Sequence, residues 1–497
     1  MKSSPRYYVA LDLGAGSGRA MLGTYDGQAL SLEEIHRFPN EPVTLPDGLY
    51  WNALRLWKEI NTGVLLAAQK TNGALAGIAV DTWGVDYALL DHAGRLLANP
   101  HNYRDPRTDG MLDEAFKRMP REKLFGSTGI QFMQINTAFQ LLSQALHNDP
   151  VFPIAKHLLM MPDLFGYWFT GKHVAERSIA STSQCYNPVT RAWATDVLDA
   201  LDIPAHLFPP LVDPGHVLGP VRPELATELG LTDTPIINVG SHDTASAVAA
   251  VPLTGDDEAY LSSGTWSLLG VECPDPVINA ESLRYNFTNE TGVCNTIRLL
   301  KNITGLWIIQ EMKRVWNAAG DPITYDDMAD LAQAAPAFKH FIDNDDPLFM
   351  QPGDMPSRIA EYCQRTGQPI PADRGATIRA AFESLVFKYR WVVELLEKLT
   401  GRSIRTIIIV GGGTKNTFLN QWAATATGRV IKTGPTEATA AGNIMLQMMA
   451  TGALTSLEEG RAMIRASFAS TSFEPQDTAA WNAAYRRYLD ITGLASM

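Results

Sequence analysis

Apolar residues crowd the start of the chain. Tyr7 to Leu13 reads YYVALDL and ends in Gly14-Ala15-Gly16-Ser17-Gly18; RAMLGTY, Asp26-Gly27 and QALSLEEIHRF follow. An Asp-Gly pair between two strand-like runs is a hairpin signal. The pattern therefore predicts three successive strands, the first two joined by the glycine-rich turn. From Asn52 to Lys70 the period changes, with Leu54, Trp57, Ile60, Val64 and Ala67 at helical spacing. Leu75 to Asp81 (LAGIAVD) reads as a strand, Thr82-Trp83-Gly84 as a turn, and VDYALLD as the next strand. Ile236 to Gly240 is a buried-type strand that runs into Ser241-His242-Asp243-Thr244, a helix start with Ser241 as its N-cap.

The pattern then restarts. Glu258 to Gly264 (EAYLSSG) predicts a strand ending in a small-residue turn, and Trp266 to Glu272 its partner. A long amphipathic helix carries Ile378, Phe382, Leu385, Tyr389, Val392, Leu396 and Leu399 on one stripe. Behind it, Arg405 to Val410 is a strand capped by Gly411-Gly412-Gly413. The opening hairpin is thus similar to AYLSSGTWSLLG, and GIAVDTWG is similar to IIIVGGG. This weak duplication implies two related domains, 1–251 and 252–497, divided at Pro252 to Asp257. Paired α/β domains that open on a hairpin resemble the actin-like ATPase architecture, the ribonuclease H-like fold used twice. That architecture implies a nucleotide held between the two hairpin turns, in a cleft shared by the domains.

Size and composition narrow the function. At 497 residues the chain exceeds what one core serves, and 45% hydrophobic with 19% charged residues fits a folded enzyme. A net charge of -12 without a Lys/Arg cluster argues against a nucleic-acid partner. Four cysteines, Cys185, Cys273, Cys294 and Cys363, form no CxxC pair, which fits a reducing cytoplasm better than a disulfide framework. Neither a signal peptide nor a membrane span is expected from the hydropathy.

The glycine spacing is G-x-G-x-G and the next element is a strand. A dinucleotide fingerprint needs G-x-G-x-x-G opening a helix, and no Walker A sequence occurs. Asp12, ending the first strand, is a candidate Mg²⁺ carboxylate or a turn cap. Gly14 to Gly18 offer backbone donors to phosphate, with Ser17 and Arg19 adding a hydroxyl and a charge; glycine would permit the φ values required and remove steric bulk. Ser262 to Thr265 offer similar donors from the second half. Gly411 to Gly413 either hold an adenosine or let a helix pack closely on a strand. Asp243, at the helix start, is the candidate base for a hydroxyl that attacks phosphorus, or a capping residue.

At these residues the chain resembles the FGGY family of carbohydrate kinases, nearly end to end. The resemblance rests on DLGAGSGR (Asp12 to Arg19), DTWGVD (Asp81 to Asp86), YRDPRT (Tyr103 to Thr108) and SHDTASAV (Ser241 to Val248). It continues through YLSSGTWSL (Tyr260 to Leu268), LKNITGLWIIQ (Leu300 to Gln310) and VGGGTKN (Val410 to Asn416). DTWGVD with SHDTASA is the spelling of the branch that phosphorylates L-rhamnulose. The resemblance implies ATP and Mg²⁺, that ketose as acceptor at its C1 hydroxyl, and Asp243 as catalytic base. It implies sugar contacts from Gly84, His242, Asp243, Thr244, Asn302 and Arg104. ATP contacts are implied for Ala15, Gly16, Ser17, Gly18, Arg19, Thr265, Gln310 and Gly412. A monomer or small homo-oligomer is expected. The alternatives are a kinase for another ketose (L-fuculose, L-xylulose or L-ribulose) and a non-catalytic actin-like sugar sensor.

Overall fold

The opening apolar run forms the strand Arg6–Leu13, joined through the glycine turn to Ser17–Tyr25 and then to Leu30–Pro39. In the computed structural model, which describes residues 4–496, the chain separates into two compact units. The first comprises residues 1–252, 272–299 and 437–469, and the second 253–271, 300–436 and 470–497. Two stretches from the C-terminal half thus belong to the first unit.

The main sheet of the first unit has six strands. Their order is Val217–Pro220, Pro235–Ile237, Leu75–Thr82, Arg6–Leu13, Ser17–Tyr25, Leu30–Pro39. Arg6–Leu13 is antiparallel to Ser17–Tyr25 and parallel to Leu75–Thr82, so Asp12 stands opposite Arg19 on one side and Asp81 on the other. Asp26 closes the next turn by accepting the backbone N–H groups of Gln28 and Ala29, with Gly27 at φ 97°. Ala53–Thr71 is helical, and its buried Leu56, Ile60, Val64 and Ala67 pack with Val9, Leu11, Ala20 and Leu22 of the sheet.

Two elements depart from the sequence reading. VDYALLD forms the strand Tyr87–Leu90, but it pairs with His157–Met160 in a separate two-stranded sheet. The strand expected to run to Gly240 ends at Ile237. Beyond it, Asn238 exchanges backbone hydrogen bonds with Gly215 and His216, and the adjoining ladder shifts register between Val217 and Gly219.

The second unit repeats the central arrangement. Glu258–Ser263 is antiparallel to Trp266–Cys273 and parallel to Thr406–Val410, which is parallel in turn to Val430–Thr433. The long helix Arg374–Thr400 buries Ile378, Phe382, Leu385, Val392 and Leu396. Hairpin plus parallel third strand is therefore common to both units, as the duplicated sequence pattern implies. No helix among the described residues is long and apolar enough to cross a membrane.

Candidate active site

The glycine turn of the first unit is held from outside. Gly14 N–H donates to Ser17 O at 3.0 Å, and the Asn40 side chain donates to Gly14 O at 2.9 Å. None of Gly14, Gly16 and Gly18 has a positive φ. No left-handed φ is required at these glycines, and the expected removal of bulk applies at Gly18. A Cβ on Gly18 would lie 2.3 Å from the Phe38 ring, whereas one on Gly16 would meet nothing within 4 Å. Ala15 and Gly16 thus lie in an open turn, with Ser17 beginning the next strand.

Arg19 reaches back from that strand. Its Nε and Nη2 donate to one oxygen of Asp12 at 2.9 and 2.7 Å, and Nη1 meets the Glu437 carboxylate. Asp81, beside Asp12 across the parallel ladder, is wholly buried and accepts from the Asn443 amide at 2.6 Å. Its other oxygen, Oδ1, has no hydrogen-bond partner among the described residues. Burial pushes the Asp81 carboxyl well above the usual range, and the carboxylates of Asp12 and Asp243 push it further. An orphaned buried oxygen beside a second carboxylate fits a hard cation. Among the described residues no three His, Cys, Asp or Glu side chains form a metal cage. Mg²⁺ does not require one, since it takes one or two carboxylates with water and phosphate oxygens.

The helix Asp243–Ala249 starts one residue later than the sequence suggests, with His242 at the N-cap position and no side-chain cap. Ser241 does not cap it. Its N–H donates to Glu176 at 3.0 Å and its carbonyl accepts from Thr82 N–H at 2.9 Å, so Ser241 is tied to neighbouring backbone. Glu176 also accepts from the backbone N–H groups of Ser178 and Ile179, and the Ser178 hydroxyl accepts from His242 N–H at 3.2 Å. This frame presents Asp243 with its side chain 29% exposed. Oδ1 of Asp243 accepts from the Thr244 hydroxyl at 3.1 Å and lies 3.5 Å from His242 Nε2. Loss of hydration raises the Asp243 carboxyl above its ordinary range; His242 opposes this and Asp12 adds to it.

Gly84 and Val85 follow Trp83 in a constrained turn. A Cβ on Gly84 would stand 3.2 Å from Thr182, and Val85 holds φ at 68°, a strained value for a β-branched residue. Thr182 accepts from Val85 N–H and Thr137 donates to Val85 O, which hold the strain in place. Asp86 anchors the turn beneath, accepting from the indoles of Trp51 and Trp83, from Gln140 and from Tyr103 N–H. Arg104 lays its guanidinium over the Tyr103 ring, 5.2 Å from the centroid.

In the second unit, Thr265 donates to Gln310 Oε1 at 3.1 Å, joining two residues expected from the resemblance to contact ATP. The Gly411–Gly413 turn packs on the end of the neighbouring strand. A Cβ on Gly413 would lie 2.2 Å from the Ser263 hydroxyl, and Gly411 holds φ at 84° against Ser263 O. Close packing accounts for those two glycines. Gly412 differs: a Cβ there would meet nothing within 4 Å. Asn302 lies on the strand Ile297–Thr304.

The family model described as the N-terminal domain of the FGGY family of carbohydrate kinases matches residues 7–250, and that of the C-terminal domain residues 259–451. The chain belongs to the FGGY family of carbohydrate kinases. It is 44% identical over 478 residues to a rhamnulokinase of Bacteroides thetaiotaomicron, spanning 96% of this chain and 98% of the relative. With a rhamnulokinase of Enterococcus faecalis it shares 42% identity over 94% of each chain. Its fold is similar to a xylulose kinase from Lactobacillus acidophilus, with TM-score 0.82, 19% identity and 99% and 98% of the two chains matched. A glycerol kinase from Plasmodium falciparum gives TM-score 0.76 at 16% identity over 98% of each. The fold is accordingly α/β with two actin-like ATPase domains.

Several polar residues of this FGGY kinase escaped the sequence reading. Glu437 and Asn443 come from a segment far along the chain, and Glu290 and Arg298 from another. Asn443 had one faint signal, since with Gln447 it places two amides four residues apart on an otherwise apolar helix. Asp81 lay within the quoted DTWGVD motif without an assigned role.

Proposed function

We propose that the protein transfers the γ-phosphoryl group of ATP to the C1 hydroxyl of L-rhamnulose in the cytoplasm, giving L-rhamnulose 1-phosphate and ADP. The observation that carries this reading is the setting of Asp243. Its carboxylate is recessed yet partly open to solvent, fixed by Thr244, and beside the carboxylates of Asp12 and Asp81. A carboxyl raised by lost hydration is a stronger base toward an alcohol than an ordinary aspartate. Full-length likeness to proteins named rhamnulokinase supports the choice of sugar.

Asp243 takes the proton of the C1 hydroxyl as that oxygen attacks the γ-phosphorus, and ADP leaves in line. Gly84, His242 and Thr244 orient the ketose, with Arg104 and Asn302 as the further residues expected to contact it. The turn Ala15 to Gly18 receives phosphate oxygens on its backbone N–H groups, and Arg19 supplies positive charge there. Thr265, Gln310 and Gly412 contribute to ATP binding. Asp12, with Asp81 beside it, would hold Mg²⁺, which offsets the charge of the phosphate oxygens. At domain level, residues 1–251 carry sugar, first phosphate turn and base; residues 252–497 carry the second turn and the adenosine site.

Coupled ADP release with ATP, Mg²⁺ and a ketose panel tests the reading, run beside Asp243→Asn. Turnover with L-rhamnulose that falls at least about 10²–10⁴-fold in the variant is expected. Preferred turnover of L-fuculose, L-xylulose or L-ribulose would replace the substrate. A folded, ATP-binding protein with no turnover on any sugar would refute the kinase.

A further inference from the structure

Glu290 and Arg298 lie in no motif that the chemistry drew on, yet both stand against His242 in the first unit. The Arg298 side chain is fully buried. Its Nη2 donates to Glu290 Oε2 at 2.9 Å and its Nε to Thr291 O at 3.3 Å, while Nη1 has no hydrogen-bond partner. A guanidinium or carboxylate alone at such depth would cost several kcal/mol, so each depends on the other. Burial works to raise the Glu290 carboxyl, but Arg298 and His242 outweigh it and bring it down to about 2. The group is a fixed charge across the working pH range.

That fixed charge is spent on a ring. His242 Nδ1 lies 3.1 Å from Glu290 Oε2 and 3.1 Å from Arg298 Nη2, while Nε2 lies 3.5 Å from Asp243 Oδ1. The two ring nitrogens therefore face different carboxylates. The His242 backbone is held separately, through its N–H to Ser178. With backbone and Nδ1 edge both constrained, the remaining edge is directed at Asp243. In a histidine the partner of one ring nitrogen sets what the other presents.

We propose that Glu290, paired with Arg298, is a positioning residue for phosphoryl transfer: it holds the His242 ring so that Nε2 faces the Asp243 carboxylate. The proposal rests on the assignment of Asp243 as the base. A purely structural ion pair, joining two strands of the stretch 272–299, would need no imidazole between it and Asp243.

Two variants of the full-length enzyme separate these roles. Glu290→Asp keeps the charge opposite Arg298 but withdraws the carboxylate by one methylene, about 1.5 Å. Its melting temperature and KM for ATP are expected to stay near the parent values while kcat falls about tenfold to a hundredfold with L-rhamnulose. In ¹⁵N-histidine NMR, the His242 signals, identified by their loss in His242→Asn, are expected to shift. Glu290→Gln, which removes the charge, is expected to lower both kcat and melting temperature. Parent kcat and unshifted His242 signals in a folded Glu290→Asp enzyme, with Asp243→Asn inactive, would overturn the proposal and leave the base in place. An active Asp243→Asn enzyme would remove the base and the proposal together.

Discussion

Glu176 shows how one buried carboxylate organises backbone around a site. It accepts hydrogen bonds from Ser178 N–H, the Ser178 hydroxyl, Ile179 N–H and Ser241 N–H, yet burial still pushes its pKa to about 7. The folded state thus takes up a proton that the unfolded chain, with an ordinary glutamate pKa of about 4.3, releases. The stability this uptake contributes is complete below about pH 4 and lost as pH rises through about 7, on the order of 4 kcal/mol in total. Glu176→Gln removes the titration, so its melting temperature should vary less than the parent's between about pH 5 and pH 8. Parallel curves in scanning calorimetry would contradict this. Asp86 makes a different demand, because two indole N–H groups depend on it. Asp86→Leu leaves both donors buried and unpaired, at about 1–3 kcal/mol each. Asp86→Asn retains an acceptor and should cost less; urea midpoints of the two variants would rank them.

At the scale of elements, strands and helices were legible where their apolar pattern matched one environment. Arg6–Leu13, Leu75–Thr82 and Thr406–Val410 are parallel-paired strands, and their near-continuous apolar runs announce them. Ser241 was misread as a cap because the helix begins one residue later, at Asp243, and the Ser241 hydroxyl turns to Val239 O at 3.5 Å, neither of which the sequence shows. The glycine turn was legible as a place without bulk, but not the cause at Gly18, where the Phe38 ring that excludes a side chain arrives from another strand. A similar approach joins two helices of the first unit. Gly442, on the helix Ala438–Ala450, faces the helix that begins at Asp243, and a Cβ there would lie 1.8 Å from Ser246 O. Gly442→Ala must push those helices apart. Overpacking of this kind costs about 1–3 kcal/mol or more, offset little by better helix propensity. A lowered melting temperature is expected, with Asn443 drawn off Asp81; an unchanged melt would mean the backbone yields more easily than the contact implies.

For the whole molecule, the sequence carried the duplicated hairpins and the motifs at Asp12, Gly84 and Asp243, because each is local. It could not carry Glu437, Asn443, Glu290 or Arg298, whose roles depend on chain segments returning from the second half. That return has a consequence for dissection of the protein. In the first unit, Asn443 donates to Asp81, Gln447 donates to Val9 O, and Tyr8 shares a hydrogen bond with Thr451. Arg461 bridges Val248 O, Ala249 O and the Glu272 carboxylate. A fragment of residues 1–252 keeps Asp81, Val9, Tyr8, Val248 and Ala249 but loses the partner of each, and it lacks the Arg461–Glu272 pair altogether. Its Asp81 would lose the Asn443 donor, and the apolar surface packed under Ile444, Met445 and Met448 would meet water. The fragment should therefore lack a cooperative thermal transition and bind a hydrophobic dye. Joining residues 272–299 and 437–469 to it through flexible linkers should restore a sharp melt. A fragment of 1–252 that melts as cooperatively as the full chain would show that the returning segments decorate the first unit without completing its core.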